Sequence, residues 1–389
     1  MVTTAADTGF DLTLTEEQEL AQRAARDFAT EKILPRAAEI DDQGKLPPEL
    51  LREMAGLGFM GTYVPERYGG SGLDAVSYVL ILEEINRACA STGVMLCSHV
   101  SLAVDPILHH GSDAQKEKYL PKLARGEWIG CFALSEPASG SDAAAMRTAA
   151  RRDGNSWILN GTKNFITNGS LANVAIVFAQ TNPAQKHKGI AAFIVEKGTP
   201  GFSVGKLEKK LGIRGSDTAQ LIFQDARVPA ASLLGEADEG FRIALSTLDG
   251  GRISIAAQAV GIARACLEDS LAYAKQREAF GKKVADFQAI QWMLADMATE
   301  IDAARLLTWR AAALKDAGED HILAAAEAKL FASDVAVKAA RDCVQIFEGY
   351  GYLKDFPAER HYRDAKITEI YEGTSEIMKL VIAEEILKE

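Results

Sequence analysis

Between residues 128 and 234 the chain reads Trp128-Ile-Gly-Cys-Phe-Ala-Leu134, Trp157-Ile-Leu159, Val174-Ala-Ile-Val-Phe-Ala179, Ile190-Ala-Ala-Phe-Ile-Val195 and Leu221-Ile-Phe223. The runs are short and rich in β-branched or aromatic residues, and turn groups such as Asp153-Gly154-Asn155 and Asn160-Gly161 lie between them. Such runs, bounded by Gly, Asn and Pro, read as strands. No helical stretch alternates with them, so the pattern argues against a parallel doubly wound sheet and for a mostly antiparallel β domain.

Helical periodicity lies on both sides. Upstream, Thr15 with Gln18 forms a capping box, and Leu20, Ala24 and Phe28 recur on one face. Pro47-Pro48 opens a second helix, Asp74 caps another running to about Ala90, and Ser112 with Gln115 marks a fourth. Downstream, Ile290, Met293, Leu294, Met297, Ile301 and Ala304 make a sustained apolar stripe, one of four or five long helices expected to form a bundle. The expected fold is therefore α+β: an N-terminal α-helical domain over residues 1–125, a middle antiparallel β domain over 126–235, and a C-terminal four-helix-bundle domain over 236–389.

Composition bounds the function. The 389 residues carry 43 Lys+Arg against 54 Asp+Glu, a formal charge of -11, with 48% apolar and 25% charged residues. This is the balance of a globular chain, and it argues against disorder and against nucleic acid as a partner. No uninterrupted apolar run suggests a bilayer span, and Met1 to Thr15 lacks the basic and apolar stretches of a presequence. The five cysteines are widely spaced and include no C-x-x-C pair, so reduced buried thiols and a cytoplasmic location are expected. His109 and His110 are adjacent, point about 100° apart on a helix, and lack a completing ligand, so no metal is expected.

Gly56, Gly58 and Gly61 fit G-x-G-x-x-G, but they follow a helix rather than a strand and read as its exit. Four other stretches are richer than structure alone requires. In Phe132-Ala-Leu-Ser-Glu-Pro-Ala-Ser-Gly-Ser141-Asp142 a strand runs into a loop whose backbone N–H groups suit a polar ligand. Asn164-Phe-Ile-Thr-Asn168 sets an aromatic ring beside hydroxyls at a strand end. Asp249-Gly-Gly-Arg252 places two glycines inside a helix at about 1 kcal/mol each, which a close approach by ligand or backbone would explain. Gln345-Ile-Phe-Glu-Gly-Tyr-Gly-Tyr352 breaks a helix, and Tyr371-Glu-Gly-Thr-Ser-Glu-Ile377 starts the last one, whose N-terminus suits an anion.

Together with Tyr63-Val-Pro-Glu-Arg-Tyr-Gly-Gly70 and Gln276-Arg-Glu-Ala-Phe-Gly281, these stretches resemble the acyl-CoA dehydrogenase family over nearly the whole chain. The resemblance implies FAD held by Phe132, Ala133, Leu134, Ser135, Gly140, Ser141, Phe165, Ile166 and Thr167. Arg277, Phe280, Gln288, Gln345, Glu348, Gly349, Thr374, Ser375 and Glu376 would complete that site, partly across a homotetramer that is a dimer of dimers. The family often has Trp where Phe165 stands and Gly-Gly where Glu348-Gly349 stands. A carboxylate near a pyrophosphate is unfavourable, so Glu348 is expected to turn away or pair with a cation.

Ser141, Asp249, Arg252 and Gly373 would line the acyl-CoA site, and electrons would leave to an electron-transfer flavoprotein. The implied reaction is α,β-desaturation: Glu372 removes the α proton, flavin N5 takes the β hydride, and the Glu372 N–H with a ribityl hydroxyl polarises the thioester carbonyl. An isovaleryl-type branch places its base where Gly251 stands here, and Gly251 has no side chain to serve. Glu376 is the weaker contender. Short straight acyl chains are expected, with medium or short-branched ones open. The rival readings are an oxygen-using acyl-CoA oxidase and a nucleic-acid-associated, non-dehydrogenating FAD protein.

Overall fold

The computed structural model describes residues 13–388. The N-terminal residues read for a presequence lie, up to residue 12, outside the described residues. Helix α1 (Glu16–Phe28) starts with both hydrogen bonds of the Thr15/Gln18 capping box. It is followed by α2 (Ala37–Gln43) and α3 (Pro48–Gly56). Gly58 takes the left-handed conformation just past α3, so the three-glycine spacing is a helix exit, as expected.

Helix α4 (Ala75–Ala88) begins where Asp74 accepts a hydrogen bond from the Ser77 N–H at 2.7 Å. It stops two residues short of the expected end because Cys89 adopts an extended conformation, and α5 (Ala90–Cys97) resumes at once. A π-helical stretch, Ser98–Val104, then leads into α6 (Asp105–His110), and α7 (Asp113–Ala124) carries the Ser112/Gln115 capping box. The continuous helical path Ala90–His110 is long and apolar enough to cross a membrane, contrary to the expectation that no run qualifies. It is 94% buried over its most apolar window, which makes it a core element.

The sheet contains β1 (Gly130–Ala133), β2 (Ala149–Asp153), β3 (Ser156–Thr167), β4 (Val174–Gln180), β5 (Ile190–Glu196), β6 (Phe202–Leu207), β7 (Thr218–Pro229) and β8 (Leu233–Leu234). Its order is β6-β7-β3-β2-β4-β5-β8, with β1 beside β4. Pairing is antiparallel except where β1 and the first residue of β2, Ala149, meet β4. Strands β2 and β6 escape a reading based on apolar runs because most of their side chains face solvent. Asp153 pairs with Ser156, so Gly154-Asn155 is the expected hairpin turn. Asn160-Gly161 is not a turn. It lies inside β3 at a register shift, where a Cβ on Gly161 would run into Thr148.

The C-terminal part holds three long helices, α8 (Gly240–Gln276), α9 (Gln288–Asp316) and α10 (Ile322–Ile346), and two shorter ones, α11 (Ala358–Ala365) and α12 (Ser375–Ile386). Four or five long helices were expected. The Gln345–Tyr352 glycines end α10, and Pro357 precedes the eight-residue α11. Helix α10 packs on α8, α9, α11 and α12, while α4 lies against α8 and α9. One apolar core therefore runs from the N-terminal helices into the bundle. All five cysteines are free and buried, four inside helices or strands and Cys89 at the break between α4 and α5.

Candidate active site

The turn before α12 carries the central group. Glu372 and Gly373 both have positive φ, +51° and +99°, and Thr374 then caps α12 by accepting a hydrogen bond from the Ile377 N–H at 3.3 Å. A left-handed conformation at a non-glycine residue costs about 1–2 kcal/mol and persists only where its surroundings hold it. Three side chains do so. The Tyr371 hydroxyl donates to Gln258 Oε1 of α8, and the Ser333 hydroxyl donates to the Thr368 carbonyl at 2.9 Å. Lys329 of α10, fully buried, donates to the Gly373 carbonyl at 2.6 Å.

Part of Glu372 remains accessible, but its Oε2 is buried and has no hydrogen-bond partner among the described residues. That oxygen lies against α8 at Gly251. A Cβ built there would strike Glu372 Oε2 and come within 2.9 Å of Leu102 Cδ2. The close approach inferred from two glycines in a helix is thus a carboxylate at Gly251, while Gly250 faces the Lys315 ammonium. Burial pushes the Glu372 carboxyl up to about 7, with the charges of Lys329 and Arg252 pulling the other way. A carboxylate with that affinity in an apolar setting is suited to accept a proton near neutral pH.

Next to Gly251, Asp249 and Arg252 form an ion pair at 2.6 Å, both side chains largely buried. Arg252 Nε is buried without a partner, and burial raises the Asp249 carboxyl despite Arg252. Gly373 is thus the neighbour of Glu372, Arg252 acts on it through its charge, and Asp249 reaches the site through its pairing with Arg252. Ser141, the other expected substrate residue, is exposed in the loop after β1 together with Gly140.

Two of the expected flavin stretches meet directly. The Asn164 N–H donates to the Ser135 carbonyl at 2.9 Å, tying the loop that follows β1 to β3. Phe132, Ala133 and Leu134 are buried, Ile166 pairs with Ala219 and Thr167 with Thr218, and Phe165 stays 64% exposed at φ +60°.

Beneath this junction lies an ion pair that the sequence did not reveal. Lys163, fully buried, donates to Glu136 Oε1 at 2.7 Å and to the Leu134 carbonyl at 3.0 Å. Glu136 also accepts from the Arg147 and Thr148 N–H groups at 2.6 and 2.9 Å. Burial raises the Glu136 carboxyl, but Lys163 outweighs it and the net shift is downward. A lone Lys in a strand reads as solvated, and only its pairing with a Glu 27 residues earlier would have signalled otherwise.

The remaining residues gather at bundle ends. Arg277 follows α8, Gln288 opens α9, Gln345 lies in the last turn of α10, and Phe280, on a small hairpin, is 96% exposed. Glu348 Oε2 lies 3.8 Å from Arg277 Nη2, the cationic pairing expected of it, with Gly349 beside it. Thr374, Ser375 and Glu376 share the start of α12 with Glu372, and Glu376 is exposed. Among the described residues no hydrogen bond or ion pair joins Arg277 or Glu348 to the Phe132–Thr167 group. Arg277 Nε and Ser375 Oγ are buried polar atoms without partners, and Phe165 and Phe280 present open rings. Donors for phosphate oxygens and faces for flat rings are what FAD requires, so these residues fit it.

The sequence matches the acyl-CoA dehydrogenase N-terminal domain over residues 15–127, the middle domain over 131–226 and the C-terminal domain over 238–387. The chain belongs to the acyl-CoA dehydrogenase family. It is 52% identical to the human mitochondrial short-chain specific acyl-CoA dehydrogenase, over 96% of this chain and 91% of that one. Among solved structures it resembles butyryl-CoA dehydrogenase from Megasphaera elsdenii with a TM-score of 0.96 and 47% identity, covering 97% and 100% of the two chains. A chain from a structure of the electron transferring flavoprotein of Acidaminococcus fermentans matches with a TM-score of 0.97 and 49% identity, over 98% and 100%. Glutaryl-CoA dehydrogenase from Mycobacterium smegmatis, solved with FADH2, matches with a TM-score of 0.92 and 36% identity, over 97% and 96%.

Proposed function

We propose that the protein desaturates a short, straight-chain acyl-CoA to the trans-2-enoyl-CoA, with Glu372 as the base and FAD as the cofactor. The observation that carries this reading is Glu372 Oε2, buried, unpartnered and seated against Gly251. FAD, when bound by the Phe132–Ser141 and Phe165–Thr167 segments with Arg277, Gln288 and Ser375, supplies the hydride acceptor. The chain's own contribution is the proton acceptor. A carboxylate desolvated beside Leu102 and Gly251 takes the α proton at Oε2, because burial has raised its affinity to about neutral pH. The backbone N–H of the same residue, held in a fixed turn, suits a thioester carbonyl as enolate charge develops. Asp249 and Arg252 hold the α8 side of the pocket in place.

Short-chain and butyryl-CoA relatives support the chain length, and the flavoprotein-associated neighbour supports an electron-transferring flavoprotein as acceptor. Exposed Phe280, Trp292, Tyr352 and Leu387 support assembly into a homotetramer, and five buried free thiols support a cytoplasmic location.

The test is anaerobic mixing of the Glu372→Gln variant with butyryl-CoA. FAD should remain bound while bleaching slows by at least about 10²-fold. Bleaching at the wild-type rate would remove Glu372 from its role. Electron transfer to oxygen as fast as to the flavoprotein would make the protein an oxidase.

A further inference from the structure

Lys329 is a fully buried cation on α10 whose charge has no place in the reading above. Its ammonium donates to a backbone carbonyl, that of Gly373, at 2.6 Å. Burying an ammonium without a carboxylate in direct contact is costly, so the position needs a reason. Gly373 directly follows Glu372, and both have positive φ. We propose that Lys329 is a positioning residue for Glu372: its hydrogen bond to the Gly373 carbonyl holds the left-handed turn, and its charge stabilises the nearby carboxylate without occupying Oε2. The inference rests on Glu372 being the base. A direct ion pair would take up the lone pair that must accept the substrate proton. A cation bonded one residue further along leaves that lone pair free.

The groups around the pair agree with this placement. Glu372 feels Arg252 from α8 and Lys329 from α10, while the Cys97 thiol of α5 and the Tyr371 phenol lie near it. Lys329 in turn feels Glu372, Glu369 and Asp334 on one side of the balance and Arg252 on the other. Burial brings Lys329 down to about 8 and Glu372 up to about 7, so at neutral pH the lysine is mostly charged where the carboxylate is half ionised. Without the lysine charge Glu372 would stay protonated to higher pH.

The experiment titrates the Glu372 carboxyl directly in the FAD-loaded enzyme. Its protonated C=O stretch is identified by infrared difference spectroscopy as the band absent from Glu372→Gln. Lys329→Gln keeps a donor for Gly373 but removes the charge; Lys329→Met removes both; Lys329→Arg keeps both. The midpoint should rise by at least about one pH unit in the Gln and Met variants and stay near the wild-type value in Arg. The acid limb of flavin reduction by butyryl-CoA should move by the same amount. In the Met variant kcat should also fall with little change in KM. An unmoved midpoint in Lys329→Gln would overturn the proposal, whatever happens to the rate. If Lys329→Met fails to fold, the Gln and Arg variants still decide. Failure of the catalytic reading shows separately, as wild-type bleaching in Glu372→Gln.

Discussion

Gly251 and Glu372 occupy one volume, since the side chain missing from the first is where the carboxylate of the second rests. Gly251→Ala should therefore fold and bind FAD but displace the base, slowing flavin reduction on the order of 10²-fold, as measured by anaerobic stopped flow. Normal reduction would show that the carboxylate relocates freely. Glu348 poses a different question. It holds φ +57°, where a Cβ costs about 1–2 kcal/mol, and its pairing with Arg277 at 3.8 Å is half exposed and of small value. Glu348→Gly should thus be more stable than Glu348→Ala by about 1 kcal/mol in urea unfolding, because both lose the pair and only one sheds the strain.

At this scale legibility followed chemistry. Gly251 was readable because a glycine inside a helix has a known cost. Lys163, Glu136 and Lys329 were not, because a charged residue gives no sign of burial until its partner, far away in sequence, is known.

Helix α4 is joined to its neighbours by charge as well as by apolar contact. Glu84, fully buried, accepts from Arg26 of α1 and Arg264 of α8, at 2.8 and 2.9 Å, and from Arg87 in its own helix. Glu83, also buried, accepts from Arg264 and from Arg305 of α9, each at 2.8 Å. The carboxylates neutralise guanidinium groups that four helices bring together. Glu84→Gln should cost about 1.5–3 kcal/mol in chemical unfolding, since Arg87 and Arg264 would each lose one of their carboxylate partners while keeping another. A loss below 1 kcal/mol would mean that water already reaches the network.

Helices α1, α3, α4 and α7 were legible from caps and stripes, with the end of α4 misplaced by two residues at Cys89, whereas α2, α5 and α6 carry no such cap and were not read. The bundle's proportions and the strands β2 and β6 were not. Periodicity reports which face is apolar, and an exposed strand or a short helix has little apolar face to report.

Across the whole molecule, His99 links the helical part to the sheet. Its Nδ1 accepts from the Gly130 N–H at 3.1 Å, which leaves Nε2 to donate to the Leu123 carbonyl at 3.2 Å. Burial lowers this imidazole from its ordinary 6.5 to about 4. The unfolded chain therefore takes up the His99 proton first as pH falls, and stability is lost as pH drops through that window. Between pH 7 and pH 5 the loss from His99 should be about 2 kcal/mol. Asp364, raised by burial to about 6, and Glu372 act with the opposite sign, so the comparison must be differential. The stability advantage of wild type over His99→Asn, measured in urea at both pH values, should shrink by that amount. An advantage independent of pH would mean that His99 titrates normally.

The order of synthesis gives the segment Ala90–His110 a further meaning. Its cover includes α8, which begins at Gly240, well over a hundred residues later. On a ribosome adding about 5–20 residues per second, a greasy helix fit for a lipid bilayer waits roughly 10 to 30 seconds for its lid. During that interval the nascent chain resembles a membrane protein to any insertion or surveillance machinery that samples it. The exposure is set by the order of segments along the chain rather than by the stability of the finished molecule, in which the same segment is buried.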